Sequence, residues 1–267
     1  MLMTSPRGEH AIDKEDLDLL VTAAREAGRE ALRYFRNDVK IWWKNEGTSP
    51  VTAADHAAND ILRDRLMAAR PDYGWLSEES EDAPERLSRS RVFIIDPIDG
   101  TRAFMNGKET WVVSAAVTDD GLPVAGVLYA PALDECYVAT ADGRVEKNGV
   151  PLPVRPSSGA IRRISGAEDL LRRFAAALPA EVERVKNAPS LAYRLAMIAD
   201  GRLDATLVKA NAHDWDLAAA HLILANTGGR LADLRGEDPV YNRPLPRHDI
   251  LVAAADDQAL KALLSAI

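Results

Sequence analysis

Cysteine is nearly missing from this chain of 267 residues: Cys136 stands alone. One sulfur cannot form an internal disulfide or a thiolate zinc site. In its apolar, strand-like surroundings Cys136 reads as a small buried hydrophobe. Long apolar runs are missing too. No stretch reaches the roughly 18–20 residues that a membrane-crossing helix needs. The polar segment 1–13 lacks the apolar run of a signal peptide or anchor, and its first ten residues read as frayed. A cytoplasmic location and no membrane partner are the expectation. Positive charge is in deficit, with 33 Lys and Arg against 41 Asp and Glu, a formal net charge of -8. That balance argues against binding a nucleic-acid polymer or an anionic membrane. It leaves small phosphorylated molecules open, because bound divalent cations invert a local field. No Gly-rich triphosphate loop is present, and no Ser-His-Asp order with a nucleophile elbow.

What is present is an ordinary core. Hydrophobic residues make up 47% and charged residues 28%, so a packed interior needs no staples. Residues 13–37 form an amphipathic helix by spacing, with Leu17, Leu20, Ala24, Ala27 and Ala31 on one face. A short strand at 39–43, a loop at 46–50 and a helix at 53–69 follow. Strands are expected at 73–77, 92–95, 111–118, 123–129, 134–140 and 143–146, the later ones an antiparallel meander with turns at Asp120-Gly121 and Asn148-Gly149. After Pro156 the pattern alternates: strands at 161–165, 182–186, 204–208 and 250–254, helices at 167–178, 190–200, 214–227 and 257–267. The alternation implies a mixed α/β second half. The soft boundary divides the chain into an α+β part, 1–155, with most candidate ligands, and an α/β part, 156–267. Trp42, Trp43, Trp75, Trp111 and Trp215 lie on separate elements and read as core or sheet anchors.

The chemistry centres on Asp96-Pro97-Ile98-Asp99-Gly100-Thr101. An apolar strand delivers two carboxylates to its C-terminal end. Pro97 stiffens the turn, and Gly100 permits positive φ. Thr101 opens a short helix whose N-terminus suits a phosphate. Hard cations such as Mg²⁺ prefer carboxylate oxygens. Glu78-Glu79 follows a strand upstream, and Asp214-Trp215-Asp216 opens a helix downstream. Taken alone, these acids read equally as a solvated face or an N-cap. Together with Asp96 and Asp99 they supply the scattered carboxylates of a two-metal site. The Asp-x-Asp-Gly-Thr nucleophile motif of haloacid-dehalogenase-type phosphatases does not fit, because two residues separate Asp96 from Asp99.

Four stretches resemble the inositol monophosphatase superfamily of lithium-sensitive, magnesium-dependent phosphatases. They are Pro50-Val51-Thr52-Ala53-Ala54-Asp55, Leu76-Ser77-Glu78-Glu79-Ser80, Ile94 through Thr101, and Asp214-Trp215-Asp216-Leu217-Ala218-Ala219-Ala220. The resemblance implies a layered αβαβα sandwich, a homodimer, inhibition by Li⁺ and two or three Mg²⁺ ions. It implies that Glu78, Asp96 and the Ile98 carbonyl hold one ion, and that Asp96, Asp99 and Asp216 hold a second. Glu78 would help with a weaker third. Thr101 and Asp55 would orient and deprotonate a water, and the amides of Gly100 and Thr101 would receive the phosphate.

Within that family the chain looks most like the bacterial 3′(2′),5′-bisphosphate nucleotidases, through Gly126-Val127-Leu128-Tyr129-Ala130-Pro131 and Pro189-Ser190-Leu191-Ala192-Tyr193-Arg194. Lys209 stands seven residues before Asp216, where inositol monophosphatases tend to carry an acid. A cation there suits a second phosphate, or is a surface lysine at a strand end. Arg194 serves similarly, or is a helix-face arginine. Asp216 would also border the substrate. The run Ile164-Ser165-Gly166-Ala167-Glu168 departs from the nucleotidase pattern. Asp99 through Phe104 also resembles histidinol-phosphate phosphatases, and inositol or another polyol phosphate is a further alternative. A non-catalytic, metal-binding regulatory protein is the alternative of another class. His213 reads as a donor to a metal ligand or as a helix cap.

Overall fold

The computed structural model describes residues 12–44, 47, 49–175, 178 and 181–265. Its elements are α1 (Lys14–Tyr34), β1 (Ile41–Lys44), β2 (Ser49–Thr52), α2 (Ala53–Ala69), β3 (Gly74–Ser77), β4 (Arg91–Asp99), α3 (Thr101–Met105), β5 (Val112–Asp119), β6 (Leu122–Ala130), β7 (Glu135–Thr140), β8 (Val145–Lys147) and β9 (Val150–Pro151). There follow β10 (Arg163–Gly166), α4 (Glu168–Arg173), β11 (Glu183–Arg184), α5 (Leu191–Ala199), β12 (Ala205–Val208), β13 (Ala212–His213), α6 (Asp214–Asn226), β14 (Arg230–Asp233), β15 (Arg247–His248), β16 (Leu251–Ala254) and α7 (Asp257–Ser265).

Five layers result. α1 turns Leu17, Leu20, Ala24, Ala27 and Ala31 inward at helical spacing. They meet Ala58, Leu62 and Leu66 of α2 and one face of a seven-stranded sheet. That sheet runs β3 to β9 in chain order, antiparallel throughout except for the parallel pair β3–β4. Its other face carries α5 and α6. α6 is apolar nearly all round because it has a sheet on each side. At Gly126 of β6 the helix backbone comes so close that a Cβ would lie 2.8 Å from the Ala219 carbonyl oxygen. Beyond α6 lies a mixed sheet in the order β11-β10-β12-β16-β14, and α4 and α7 cover its far side. The αβαβα sandwich expected from the sequence is the fold observed.

Local readings needed four corrections. Residues 49–52 are strand β2, paired with β1, where a loop was expected through 50. The helix expected at 167–178 is confined to Glu168–Arg173 among the described residues. Strands β9, β13, β14 and β15 were not expected: the four residues of β14 pair along β16, β13 pairs with β15 and β9 with β8, and such pairing is visible only in three dimensions. The anchor reading holds for Trp75 and Trp111, at 9% and 0% exposure, and Trp215 packs against the inter-sheet core. It fails for Trp42 and Trp43, at 38% and 56%, because β1–β2 is a separate ribbon outside the layers. Cys136 is buried as expected. The fraying expected of the first ten residues concerns residues outside those described. Among the described residues, no helix is long and apolar enough to cross a membrane.

Candidate active site and metal centre

Strand register places the first acids. β3 and β4 are parallel, with Ser77 opposite Ile95, so Glu78 follows onto the same edge as Asp96. The Glu78 amide donates to the Ile95 carbonyl at 3.2 Å. In a regular strand Asp96 and Asp99 would face opposite ways. The pairing instead shifts: Asp96 stands opposite Ser114 and Asp99 opposite Val112. β4 therefore holds one residue more than β5 there, a bulge that re-aims a side chain. Gly100 then turns the chain at φ +97, and α3 begins at Thr101.

Helix starts hold the other acids. Asp55 is third in α2 and closes a capping box: its Oδ2 accepts from the Thr52 amide at 2.7 Å and the Thr52 hydroxyl at 2.6 Å. Asp216 is third in α6, and its Oδ2 accepts from the His213 amide at 2.7 Å. Asp99 is received by the start of α5, from the Ser190 hydroxyl at 2.7 Å and the Ala192 amide at 2.6 Å. Each helix N-terminus favours the negative charge it holds. Ser114 fastens α6 to β5 by donating to the Trp215 carbonyl at 2.9 Å. The result is that one carboxylate oxygen each from Asp96, Asp99 and Asp216 lies within 4.8 Å of the others.

A cavity of about 310 Å³ opens on this group, lined by Glu78, Asp96, Ile98, Asp99, Gly100, Thr101 and Asp216 among others. Asp55 reaches it through Thr101, whose hydroxyl lies 3.1 Å from both Asp55 Oδ1 and the Ile98 carbonyl. A hydroxyl has one proton, so it donates to only one of them at a time. Burial pushes the Glu78 carboxyl up to about 7, with Lys44 opposing and Glu79 adding to the rise. Burial likewise raises Asp55 to about 6, against the hydrogen bonds from Thr52. Asp96 and Asp216 are raised well above the usual range, first by burial and then by one another's neighbours Glu78 and Asp99. Asp99 rises by burial against its bonds from Ser190 and Ala192. Carboxylates so crowded cannot all ionise unless cations join them. The lining offers carboxylate, carbonyl and hydroxyl oxygen and neither imidazole nor thiolate. That donor set fits a hard divalent cation.

Two expected residues lie apart from this cavity. Arg194 and Lys209 line a neighbouring one of about 390 Å³, which meets the first at Asp216. Lys209 Nζ is 2.9 Å from Asp169, and both side chains are more than half exposed. His213 caps α6 through its amide and stacks on Trp215 at 4.5 Å. Sequence reasoning missed Lys44, at the end of β1. Its ammonium sits 2.7 Å from Glu79 and 3.7 Å from Glu78. A lysine ending a short apolar run carries no local signal of that role. Ser190 had been seen only as a helix start, and its bond to Asp99 spans 91 residues.

Comparison with known proteins identifies the family. The chain is 34% identical over 265 residues to the inositol-1-monophosphatase of Mesorhizobium japonicum, covering 94% of this chain and 97% of that one. It is 32% identical to the histidinol-phosphatase of Chlorobaculum parvum, over 85% and 89% of the two chains. It is 31% identical to the 3′(2′),5′-bisphosphate nucleotidase CysQ of Escherichia coli K12, over 88% and 96%. The crystal structure of the extragenic suppressor protein suhB from Bartonella henselae superposes with a TM-score of 0.82 at 28% identity, covering 95% of this chain and 98% of that one. The profile of the inositol monophosphatase family matches residues 13–267, and the chain belongs to that family of phosphatases.

Proposed function

We propose that this enzyme hydrolyses the phosphomonoester of a small metabolite with Mg²⁺ as cofactor, and that its substrate is a 3′(2′),5′-bisphosphate nucleotide, adenosine 3′,5′-bisphosphate giving AMP and phosphate. The observation that carries the chemistry is the convergence of Asp96, Asp99 and Asp216 beside the Thr101–Asp55 pair. Asp96, Asp99, Asp216, Glu78 and the Ile98 carbonyl are the groups that would hold two or three ions. When bound, such ions acidify water and offset the charge of a transferring phosphoryl group. Thr101 Oγ1, with its proton directed to Asp55, presents lone pairs to a water in the cavity. The water's proton passes to Thr101 as the threonine proton passes to Asp55, the oxygen attacks phosphorus, and the P–O bond to the ester oxygen breaks, the leaving alkoxide taking its proton from a second water to depart as the alcohol. The buried Asp55 carboxyl, raised to about 6, still accepts that proton at neutral pH. The amides of Gly100 and Thr101 receive the phosphate in this scheme.

Thr101→Val, which keeps shape and removes the hydroxyl, is expected to lower kcat at least about 100-fold. Thr101→Ser is expected to keep activity within about 10-fold. Equal activity of the valine and wild-type enzymes would exclude the pair from proton transfer.

The relatives carry three substrate names at nearly equal identity, so identity alone does not choose among them. Lys209 on the wall of the neighbouring cavity favours the bisphosphate. A cation suits a second phosphate better than it suits polyol hydroxyls or the ammonium of histidinol. The test is phosphate release with Mg²⁺ from adenosine 3′,5′-bisphosphate, inositol 1-phosphate, histidinol phosphate and fructose 1,6-bisphosphate. The adenosine compound is expected to lead by about 10-fold or more in kcat/KM, about 1.4 kcal/mol of differential transition-state binding. A lead of that size for another compound would replace the nucleotide reading while leaving the hydrolytic one.

A further inference from the structure

We infer that residues 241–248 form a brace that sets the separation of Glu78 and Asp216 before a cation binds, with Arg86, Asn242 and Asp214 as its positioning residues. This deepens the reading just given and rests on it. Glu78 and Asp216 come from different layers: Glu78 follows β3, and Asp216 sits in the first turn of α6. Without cations each repels the other, and both repel Asp96 and Asp99. Ser114 ties α6 to β5, and β3 needs a tie of its own. Asp214 opens the same turn as Asp216. Successive helix residues turn by about 100°, so the two carboxylates leave on nearly opposite sides. Asp214 is buried, stands outside the lining of the metal cavity, and has both oxygens engaged. Oδ1 lies 2.8 Å from His248 Nε2, and Oδ2 accepts from the Asn242 amide at 2.7 Å. The Asp214 amide donates to the Pro246 carbonyl at 3.1 Å. The start of α6 is thus fastened to the brace through Asn242, Pro246 and His248.

The other end of the brace reaches Arg86. This residue lies in a 3₁₀ turn, Pro84–Ser88, in the segment between Glu78 and β4. The turn lies hard against β3: a Cβ on Gly74 would stand 3.1 Å from Arg86 Cα. Only 2% of Arg86 is exposed. Burying a guanidinium is costly unless its charge and donors are matched. Here they are matched. Nε and Nη2 donate to the two carboxylate oxygens of Asp82 at 2.6 and 2.8 Å. Nη1 donates to Asn242 Oδ1 at 2.7 Å, and Nη2 also donates to the Arg243 carbonyl at 3.1 Å. Asn242 is the junction, since its side chain receives Arg86 and its amide serves Asp214. It holds φ +55, which asparagine tolerates and most residues do not. Beside it the Tyr241 amide donates to the Gly121 carbonyl at 3.1 Å, anchoring the brace to the β5–β6 turn. A chain of hydrogen bonds therefore runs from the segment after Glu78 to the helix turn that carries Asp216. Arg86, Asn242 and Asp214 do not line the metal cavity, so they act through the carboxylates they place.

The experiment titrates the intact, metal-free enzyme with Mg²⁺ alone by calorimetry, below the unfolding temperature of each variant. Unfolding without metal is recorded on the same preparations. Asn242→Gly suits φ +55 and removes the link to Arg86. It is expected to weaken Mg²⁺ binding by about 10-fold, and to raise the Mg²⁺ concentration for half-maximal phosphate release by a similar factor. Asn242→Asp keeps an oxygen facing Arg86 and is expected to stay within about 3-fold of wild type. Arg86→Gln removes a positive charge, which by electrostatics alone would strengthen cation binding; the brace requires a loss of about 10-fold instead. A merely structural contact would lower the metal-free unfolding temperature and leave the Mg²⁺ affinity of the folded protein unchanged. Should one of Asn242→Gly and Arg86→Gln fail to fold, the other decides. Unchanged affinity in the folded variants, or failure of both to fold, overturns the brace. Equal losses in Asn242→Gly and Asn242→Asp overturn the link through the Asn242 oxygen. Absence of Mg²⁺ binding in the wild type overturns the brace and the metal reading together, whereas wild-type binding with unaltered affinity in the variants leaves the metal reading standing.

Discussion

Asp99→Asn is expected to lower kcat/KM by at least about 10³-fold, about 4 kcal/mol, in a protein that remains folded. The carboxylate is one of three that converge within 4.8 Å, and the neutral amide cannot replace its charge toward a divalent cation. The fold should tolerate the change, because an amide oxygen can still accept from the Ser190 hydroxyl and the Ala192 amide. Removing the charge also relieves repulsion that Asp96 and Asp216 feel from Asp99. The metal-free variant should therefore unfold within about 1 kcal/mol of wild type, or above it. Phosphate release and denaturant unfolding without metal, measured on one preparation, separate the two effects. Near-normal turnover would remove Asp99 from the metal set. Lost activity accompanied by unfolding would instead make Asp99 a structural anchor of α5.

Mg²⁺ is expected to stabilise the protein strongly near pH 8 and weakly near pH 5. The sign follows from the raised carboxyls. Glu78 is pushed up to about 7 and Asp55 to about 6, and Asp96, Asp99 and Asp216 also lie above their usual range. Unfolded, these groups titrate near 4. Between about pH 4 and 7 the metal-free folded state therefore holds more protons than the unfolded chain. Its stability contribution from these groups is full below that window and is lost as pH rises through it. Cations reverse the balance by favouring the ionised carboxylates, and their binding displaces protons. At pH 8, Mg²⁺ at 100 times its Kd should add about 2.7 kcal/mol, a rise in Tm of about 5–10 °C for a chain of this size. At pH 5 protons compete and the rise should shrink. Thermal unfolding with and without Mg²⁺ at both pH values is the check. A rise of equal size at both, or none at either, would mean that these carboxylates are not where the metal binds.

Much of the site was legible in the chain because its signals are local. Asp96 through Thr101 lie within one turn of backbone. Thr52 and Asp55 are a capping box written three residues apart, and Asp216 stands at the third position of a helix start. Helix periodicity marked α1, and an apolar run ending in Asp marked β4. These features follow from spacing and stereochemistry, which each segment carries with it.

The tertiary structure decided what depends on distant partners. The bulge in β4 exists only relative to β5, and it turns Asp96 and Asp99 into one site. Lys44 meets Glu79 across 35 residues, and Ser190 meets Asp99 across 91. Trp42 and Trp43 read as interior by type and lie exposed on a ribbon, since burial belongs to the layer a residue joins. Lys209 and Arg194 read alike as cations near Asp216. Folding left one on the surface with a partner and buried the other with a free donor. Which groups could do phosphate chemistry was readable along the chain, because that depends on residue type and short spacing. Which of them share a cavity, and which are buried without a partner, was decided by long-range packing, because desolvation and alignment are properties of the assembled layers.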